Sequence, residues 1–309
     1  SDYTYEGIKL DKFTKMRLNN IRQIGVGDEF VIALTNSGDV YSWGGNSYSE
    51  LGIEGYNTNK PYQVPRKVNI KNIEKIYVFG NQVAALSKEG KAYYWGYAVD
   101  DYNKVVHTFD EKKVTDVFLV KSQYYFKTED NQIYAVGMDF DGVTTQRNGW
   151  AREPIIINIQ NVSKIVSLNG YEGNNSPVKY ILKNDGSVCI LNTLKEGDLE
   201  TKIDGLTNIE EIYPIKNRNS QNSCFLAVDK NRNLYSYNTD FLGENVTSNV
   251  KKLQINNVKE IKEKEGLVLI IKQDGTLFNI GYSIDDLKPH EDGYFLNYYS
   301  EEKELSIKN

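Results

Sequence analysis

The chain has 309 residues, with 37 basic and 42 acidic side chains and a formal net charge of −5. This balance gives no cationic surface for a phosphate backbone, so no nucleic-acid partner is expected. Two His and two Cys argue against a His-rich metal centre and a disulfide-dense scaffold, and no run approaches the ~18 consecutive apolar residues of a transmembrane helix.

With 23 Tyr and 24 Gly but only 6 Pro, the composition points to β-structure with many turns. A pair of β-branched residues three apart recurs six times: Ile21/Ile24, Ile73/Ile76, Val114/Val117, Val162/Ile165, Ile209/Ile212 and Val258/Ile261. Downstream of each pair come an apolar strand, a turn and a second apolar strand. In the first repeat these are Ile32-Ala33-Leu34-Thr35, Asn36-Ser37-Gly38 and Val40-Tyr41-Ser42-Trp43-Gly44. The second reads Ala84-Ala85-Leu86-Ser87, Lys88-Glu89-Gly90 and Ala92-Tyr93-Tyr94-Trp95-Gly96. The turn position is Gly38, Gly90, Asn131, Gly186, Arg232 and Gly275, with spacings of 52, 41, 55, 46 and 43. Gly here suits a hairpin that needs positive φ. The column headed by Trp43 and Trp95 continues as Val136, Leu191, Tyr237 and Ile280, all large and apolar, and is read as packing between units. One four-stranded meander cannot bury both faces alone, so units of this period stack, and a β-propeller is the predicted fold.

The stretch from Ala33 to Gly52, ending Gly44-Gly45-Asn46-Ser47-Tyr48-Ser49-Glu50-Leu51-Gly52 and followed by Pro61 and Val64, resembles the regulator-of-chromosome-condensation repeat. The resemblance is strong over 21–96, recognisable at 258–281 and weak between. It implies an all-β propeller, usually of seven blades. Six repeats are visible, with cores near 21–44, 73–96, 114–137, 162–191, 209–237 and 258–281, so 1–309 is read as one propeller domain. Residues 1–12 and 282–309 are the candidates for a split closing blade, and six blades is the alternative.

Call the four strands of a repeat A to D. Antiparallel neighbours alternate in direction, so the A–B and C–D connections share one rim and the B–C turn lies on the other. From the second residue of each pair to the turn position the distance is 14 in repeats 1, 2, 3 and 6, but 21 and 20 in repeats 4 and 5. The C–D connections lengthen too, at 45–60 and 138–150. All this variation falls on one rim, and loops on a rigid scaffold are where binding residues concentrate. That rim is also aromatic and acidic. Tyr48, Tyr56, Tyr97, Tyr102, Phe140, Trp150 and Tyr171 lie in connections, accompanied by Asp100, Asp101, Asp139 and Glu172, with Arg147 and Arg218 in the same loops. Tyr and Trp dominate interface hot spots because they bury large area with few rotatable bonds. These thirteen residues are the predicted partner-binding set, suited to a protein with basic features or to a carbohydrate surface.

No catalytic constellation emerges. His107 and His290 are isolated and read as surface residues; Cys189 and Cys224, on adjacent repeats, read as buried free thiols. Gly25-Val26-Gly27 lacks the third glycine of a dinucleotide site. Met138-Asp139-Phe140-Asp141-Gly142 matches part of a calcium loop without its downstream Glu, so neither metal nor cofactor is assigned. The expectation is a monomeric, non-enzymatic propeller that grips a partner protein through one rim, with glycan binding or surface attachment as an alternative. The resemblance implies two further comparisons: secreted bacterial inhibitors of β-lactamases, which use aromatic residues on one propeller face, and exchange factors for a Ran-like small GTPase. The 33 Asn hint at an AT-rich, bacterial source. An extracellular or cell-surface location follows from the first comparison, a cytoplasmic one being the alternative.

Overall fold

A computed structural model describes residues 15–54, 61–99, 105–138, 149–168, 178–192, 199–215, 224–238, 250–264, 267–282, 288–290, 293–295 and 298–304, with side chains through Asn279. It is all-β, with no α-helix among the described residues. The chain divides into two compact units, residues 1–160 with 193–197 and residues 161–192 with 198–309. Each holds three antiparallel sheets of four strands, ordered in the sheet as they run in the chain.

In the first unit the sheets are β1 (Ile21–Val26), β2 (Phe30–Thr35), β3 (Val40–Gly44) and β4 (Tyr62–Lys67), then β5 (Ile73–Phe79), β6 (Gln82–Ser87), β7 (Ala92–Gly96) and β8 (His107–Phe109), then β9 (Val114–Val120), β10 (Gln123–Thr128), β11 (Ile133–Gly137) and β12 (Ala151–Ile157). The second unit has β13 (Val162–Val166), β14 (Lys179–Lys183), β15 (Val188–Leu191) and β16 (Glu200–Lys202), then β17 (Ile209–Ile215), β18 (Cys224–Asp229), β19 (Leu234–Tyr237) and β20 (Val250–Lys252). Its last sheet is β21 (Val258–Lys264), β22 (Leu267–Lys272), β23 (Leu277–Tyr282) and β26 (Tyr298–Glu304), with a separate hairpin of β24 (Lys288–His290) and β25 (Gly293–Phe295).

The C-terminal segment therefore departs from the split closing blade expected of it. Residues 298–304 complete the sixth sheet, pairing Tyr282 with Tyr298 and Phe278 with Glu304. The physical reason is the open edge of β23, whose backbone donors and acceptors need partners. Residues 1–12, the other half of that expectation, lie outside the described residues.

The β-branched pair has a backbone cause. On a regular strand, residues three apart point to opposite faces. In all six repeats the A–B register shifts near the first member of the pair, as between Ile73 and Lys75. The extra residue of this bulge returns both members to one face, so Ile73 and Ile76 are both buried against the preceding sheet.

The turn position joins neighbouring sheets. It is left-handed in every repeat, with φ of 85° at Gly38, 60° at Asn131 and 64° at Arg232. Its carbonyl accepts the first N–H of the next sheet: Ile73 to Gly38 at 3.1 Å, Val114 to Gly90 at 2.8 Å, Ile209 to Gly186 at 2.9 Å and Val258 to Arg232 at 3.1 Å. At Gly186 the approach is so close that a Cβ would lie 2.7 Å from the Asn208 Cα. Arg232 holds the same conformation and uses its guanidinium to reach the next sheet, donating to the Val258 and Lys259 carbonyls at 2.6 and 3.0 Å.

Apolar side chains fill the gaps between these sheets. Phe30, Ile32, Leu34 and Val40 pack on Ile76, Val83, Ala85 and Trp95; Ala84, Leu86 and Tyr94 pack on Val117, Tyr124 and Phe126. In the second unit Tyr180 and Leu182 meet Ile212 and Phe225, and Leu226 and Val228 meet Ile261 and Val268. The Trp column behaves as read where a preceding sheet exists in the same unit. Trp95 is fully buried, and its Nε1 donates to the Glu50 carbonyl at 2.7 Å. Trp43, on the first sheet, is only half-buried. Accordingly, Trp95→Ala is expected to cost about 3–5 kcal/mol in chemical denaturation, and Trp43→Ala less than half as much.

Candidate functional site

The two-rim arrangement follows from the hydrogen bonds. The Gly45 N–H donates to the Glu29 carbonyl at 2.8 Å, which places the A–B and C–D connections of the first sheet side by side. In the second sheet the Tyr97 N–H makes the same bond to the Asn81 carbonyl at 2.8 Å. The Asp28 N–H donates to the Gly80 carbonyl at 3.3 Å, so the A–B connections of the two sheets also touch.

On this rim the loop after β3 is held by its own side chains. Asn46 and Glu50 are both buried. The Asn46 Oδ1 accepts from the Leu51 N–H at 2.9 Å, the Glu50 Oε2 accepts from the Tyr48 N–H at 2.7 Å, and the Ser42 hydroxyl donates to the Leu51 carbonyl at 2.7 Å. Gly52 closes the loop with φ of 62°, and a Cβ there would lie 2.9 Å from the Trp95 Nε1. The effect is to lock the loop onto the second sheet and push Tyr48 outward.

Tyr48 is 50% exposed and Tyr97 37% exposed. Their rings meet edge to face, with centroids 5.2 Å apart and planes at 80°, the geometry that ring quadrupoles favour. Tyr97 is anchored from below, since its carbonyl accepts the Tyr124 hydroxyl at 2.8 Å. Asp28 and Glu29 are exposed on the same rim. Two aromatic faces on a pinned backbone, beside two carboxylates, can bury apolar surface and receive a cationic group at little conformational cost.

Of the predicted binding residues, the structure thus brings Tyr48 and Tyr97 together. Trp150 lies just before β12, so it falls on the C–D side of its sheet. It is half-buried, its Nε1 is enclosed without a hydrogen-bond partner among the described residues, and Arg152 lies over the ring at 5.6 Å. Tyr56, Asp100, Asp101, Tyr102, Asp139, Phe140, Arg147, Tyr171, Glu172 and Arg218 lie outside the described residues. Cys189 and Cys224 are buried thiols outside any disulfide, as read; the Cys224 thiol donates to the Ile215 carbonyl at 3.1 Å, and burial pushes the Cys189 thiol above its ordinary range. His107 corrects the surface reading: it sits in β8, half-buried, with its ring 5.3 Å from Tyr94, because, two residues before the core residue Phe109, it shares that residue's face of the strand beside an aromatic cluster. The side chain of His290 lies outside the described residues.

Sequence reasoning missed Glu50, Asp28 and Glu29. The signal for Glu50 was its place between two loop glycines, where a carboxylate can cap N–H groups of a tight turn. Burial raises the Glu50 carboxyl above its ordinary value of 4.5; hydrogen bonds from its own N–H and that of Tyr48 oppose the shift, and the charges of Glu29 and Asp28 add to it. A raised carboxyl binds more protons folded than unfolded, so its contribution favours folding at low pH and is lost as pH climbs from about 4.5 through the folded value. Glu50→Gln keeps an acceptor for Tyr48 without the charge. Its stability relative to the parent chain, measured by denaturation, is expected to be higher at about pH 7 than at about pH 4.

Comparison with known proteins places these observations. The model of the regulator of chromosome condensation (RCC1) repeat matches residues 21–50 and 37–82. The chain is 28% identical over 124 residues to the human E3 ubiquitin-protein ligase HERC2, covering 37% of this chain and 3% of that protein. It is 32% identical over 84 residues to protein pim1 of Schizosaccharomyces pombe, covering 27% and 16%. The chain thus spans only a small part of the curated relatives it matches. The crystal structure of Prp20p from Saccharomyces cerevisiae, described with its binding properties to Gsp1p and histones, superposes with a TM-score of 0.61 at 16% identity, over 93% of this chain and 77% of that one. The chain is an all-β protein with the fold of the RCC1 propellers, and its residues 21–82 match the regulator of chromosome condensation repeat.

Proposed function

We propose that the chain is a non-enzymatic, protein-binding propeller that grips a partner through the aromatic and acidic rim formed by its A–B and C–D connections. The observation that carries this reading is the exposed Tyr48–Tyr97 pair, held on a pinned loop beside Asp28 and Glu29. Such a surface suits a partner that offers an apolar side chain and a Lys or Arg. An extracellular or cell-surface location accompanies this reading.

A second reading is nucleotide exchange on a small GTPase. It is favoured by the likeness to Prp20p, a protein described as binding Gsp1p. It expects the chain to speed release of labelled guanine nucleotide from a Ran-like GTPase. Charge reversal at Asp28 and Glu29 should abolish that effect.

For the leading reading, the parent chain and the Tyr48→Ala/Tyr97→Ala variant are used as paired baits, and each retained protein is titrated against both. Each Tyr is expected to contribute about 2–4 kcal/mol as a hot spot. Equal affinity of every retained protein for both baits would remove the rim from consideration.

A further inference from the structure

In the three sheets of the first unit, one cross-strand pair joins the second and third strands at the same register position. It is Val31 with Trp43, Val83 with Trp95 and Tyr124 with Val136. The third pair reverses the other two. The large side chain that carries a hydrogen-bond donor has moved from the third strand to the second, and valine has moved the other way.

The donor keeps its task through the exchange. From the second sheet, Trp95 Nε1 donates to the Glu50 carbonyl at 2.7 Å, in the connection after β3. From the third, the Tyr124 hydroxyl lies 2.6 Å from the Trp95 carbonyl oxygen and 2.8 Å from that of Tyr97, where the connection after β7 begins. Each time a fully buried side chain reaches the preceding sheet and satisfies main-chain oxygen beside the rim of A–B and C–D connections. A buried carbonyl without a donor costs more than the bond itself contributes, so this position calls for a donor on one strand or the other.

Tyr97 is thereby held at both ends of its backbone. Its N–H donates to the Asn81 carbonyl of its own sheet at 2.8 Å, and its carbonyl accepts from the third sheet. Ala98, next in the chain, is left-handed with φ of 68°, a conformation that alanine keeps only where its surroundings impose it. These restraints fix the backbone that sets the exposed Tyr97 ring against Tyr48. We propose that Tyr124, too deeply buried to touch a partner, is a positioning residue of the rim and orders the Tyr48–Tyr97 pair for binding. The inference rests on the rim reading above. It makes a surface carried by the first two sheets depend on the third, and it accounts for the lapse of the Trp column at Val136: the donor that column supplies comes there from Tyr124.

Tyr124→Phe removes only the hydroxyl. Tyr125→Phe is the control, since Tyr125 is also fully buried and its hydroxyl donates to Gln123 Oε1 of its own strand at 2.6 Å. The readouts are site-resolved hydrogen exchange and the Tyr48–Tyr97 ring-to-ring NOE in tyrosine-labelled chain. Neither needs a partner, so the proposal can fail while the rim reading stands, and that reading falls on the paired baits alone. In Tyr124→Phe the Tyr97 amide is expected to exchange about tenfold faster than in the parent, the equivalent of one hydrogen bond, and the NOE to weaken. In Tyr125→Phe both should stay at the parent level, whatever that variant costs in overall stability. Parent-like exchange and NOE in Tyr124→Phe would overturn the proposal. Equal changes in the two variants would do the same, because they mark a general loosening. Should Tyr124→Phe lose the fold by circular dichroism, the parent chain still decides. A Tyr124 hydroxyl proton that exchanges with water as fast as that of the exposed Tyr48 excludes the anchoring bond.

Discussion

Within each unit the sheets depend on one hydrogen bond, given by the first N–H of a sheet to the carbonyl of the turn residue one repeat earlier. The acceptor can point that way because the turn residue is left-handed, a conformation that Gly adopts freely and that costs other residues about 1–2 kcal/mol. A second bond crosses the same rim. The residue just before the first strand accepts from the residue opening the turn of its own sheet, as in Asn36 to Asn20 at 2.8 Å, Lys88 to Asn72 at 3.0 Å and Gln273 to Asn257 at 2.8 Å. Those three Asn are themselves left-handed, with φ of 56°, 56° and 54°. Two adjacent left-handed columns thus thread each rim of turns into a lattice. The apolar gaps between sheets are closed around that lattice.

Much of this was legible in the residues. The bulge is encoded in the spacing of the β-branched pair, since two like-facing residues three apart on a strand require an inserted residue. The turn column is legible at Gly38, Gly90, Gly186 and Gly275, and it survives at Asn131 and Arg232 because those residues keep the same φ. The Asn column ahead of the first strand was not recognised, although Asn is the residue, after Gly, that most readily enters the left-handed region. The sixth sheet was misjudged at its outer strand. Its repeat pattern ends at β23, and a strand that pairs with β23 after an intervening hairpin leaves no repeat signature, only an unpaired edge to be satisfied.

The candidate site was legible in part for a related reason. Tyr48 and Tyr97 were found because the repeat assigns their positions to connections, away from the alternating core. Their contact was not, because it depends on how Asn46 and Glu50 fold the loop back on itself, a matter of capping geometry without periodicity. His107 shows the opposite failure. A lone His carries no motif, so nothing in its neighbourhood of sequence revealed that β8 would set it against Tyr94. Trp43 and Trp95 share one sequence context and differ in burial: Trp95 is packed among the apolar side chains of the first sheet, whereas Trp43 is half-buried.

The separation of the two rims explains why one of them can vary. The bonds from each turn carbonyl to the first N–H of the next sheet lie on the B–C side. Repeats 4 and 5 lengthen their A–B connections, moving the turn position from 14 residues after the pair to 21 and 20. Even so, Gly186 and Arg232 still accept from Ile209 and Val258 at 2.9 and 3.1 Å. The insertions leave the lattice untouched because they enter at the opposite ends of the same strands. Loop closure adds little free energy per extra residue, so length and composition on that rim can change at small cost to stability. The same argument sets the limit of that freedom. Glu50 and Gly52 lie on the variable rim but face the next sheet, through the Trp95 Nε1, and so are bound by packing in a way that Tyr48, two residues away and turned outward, is not.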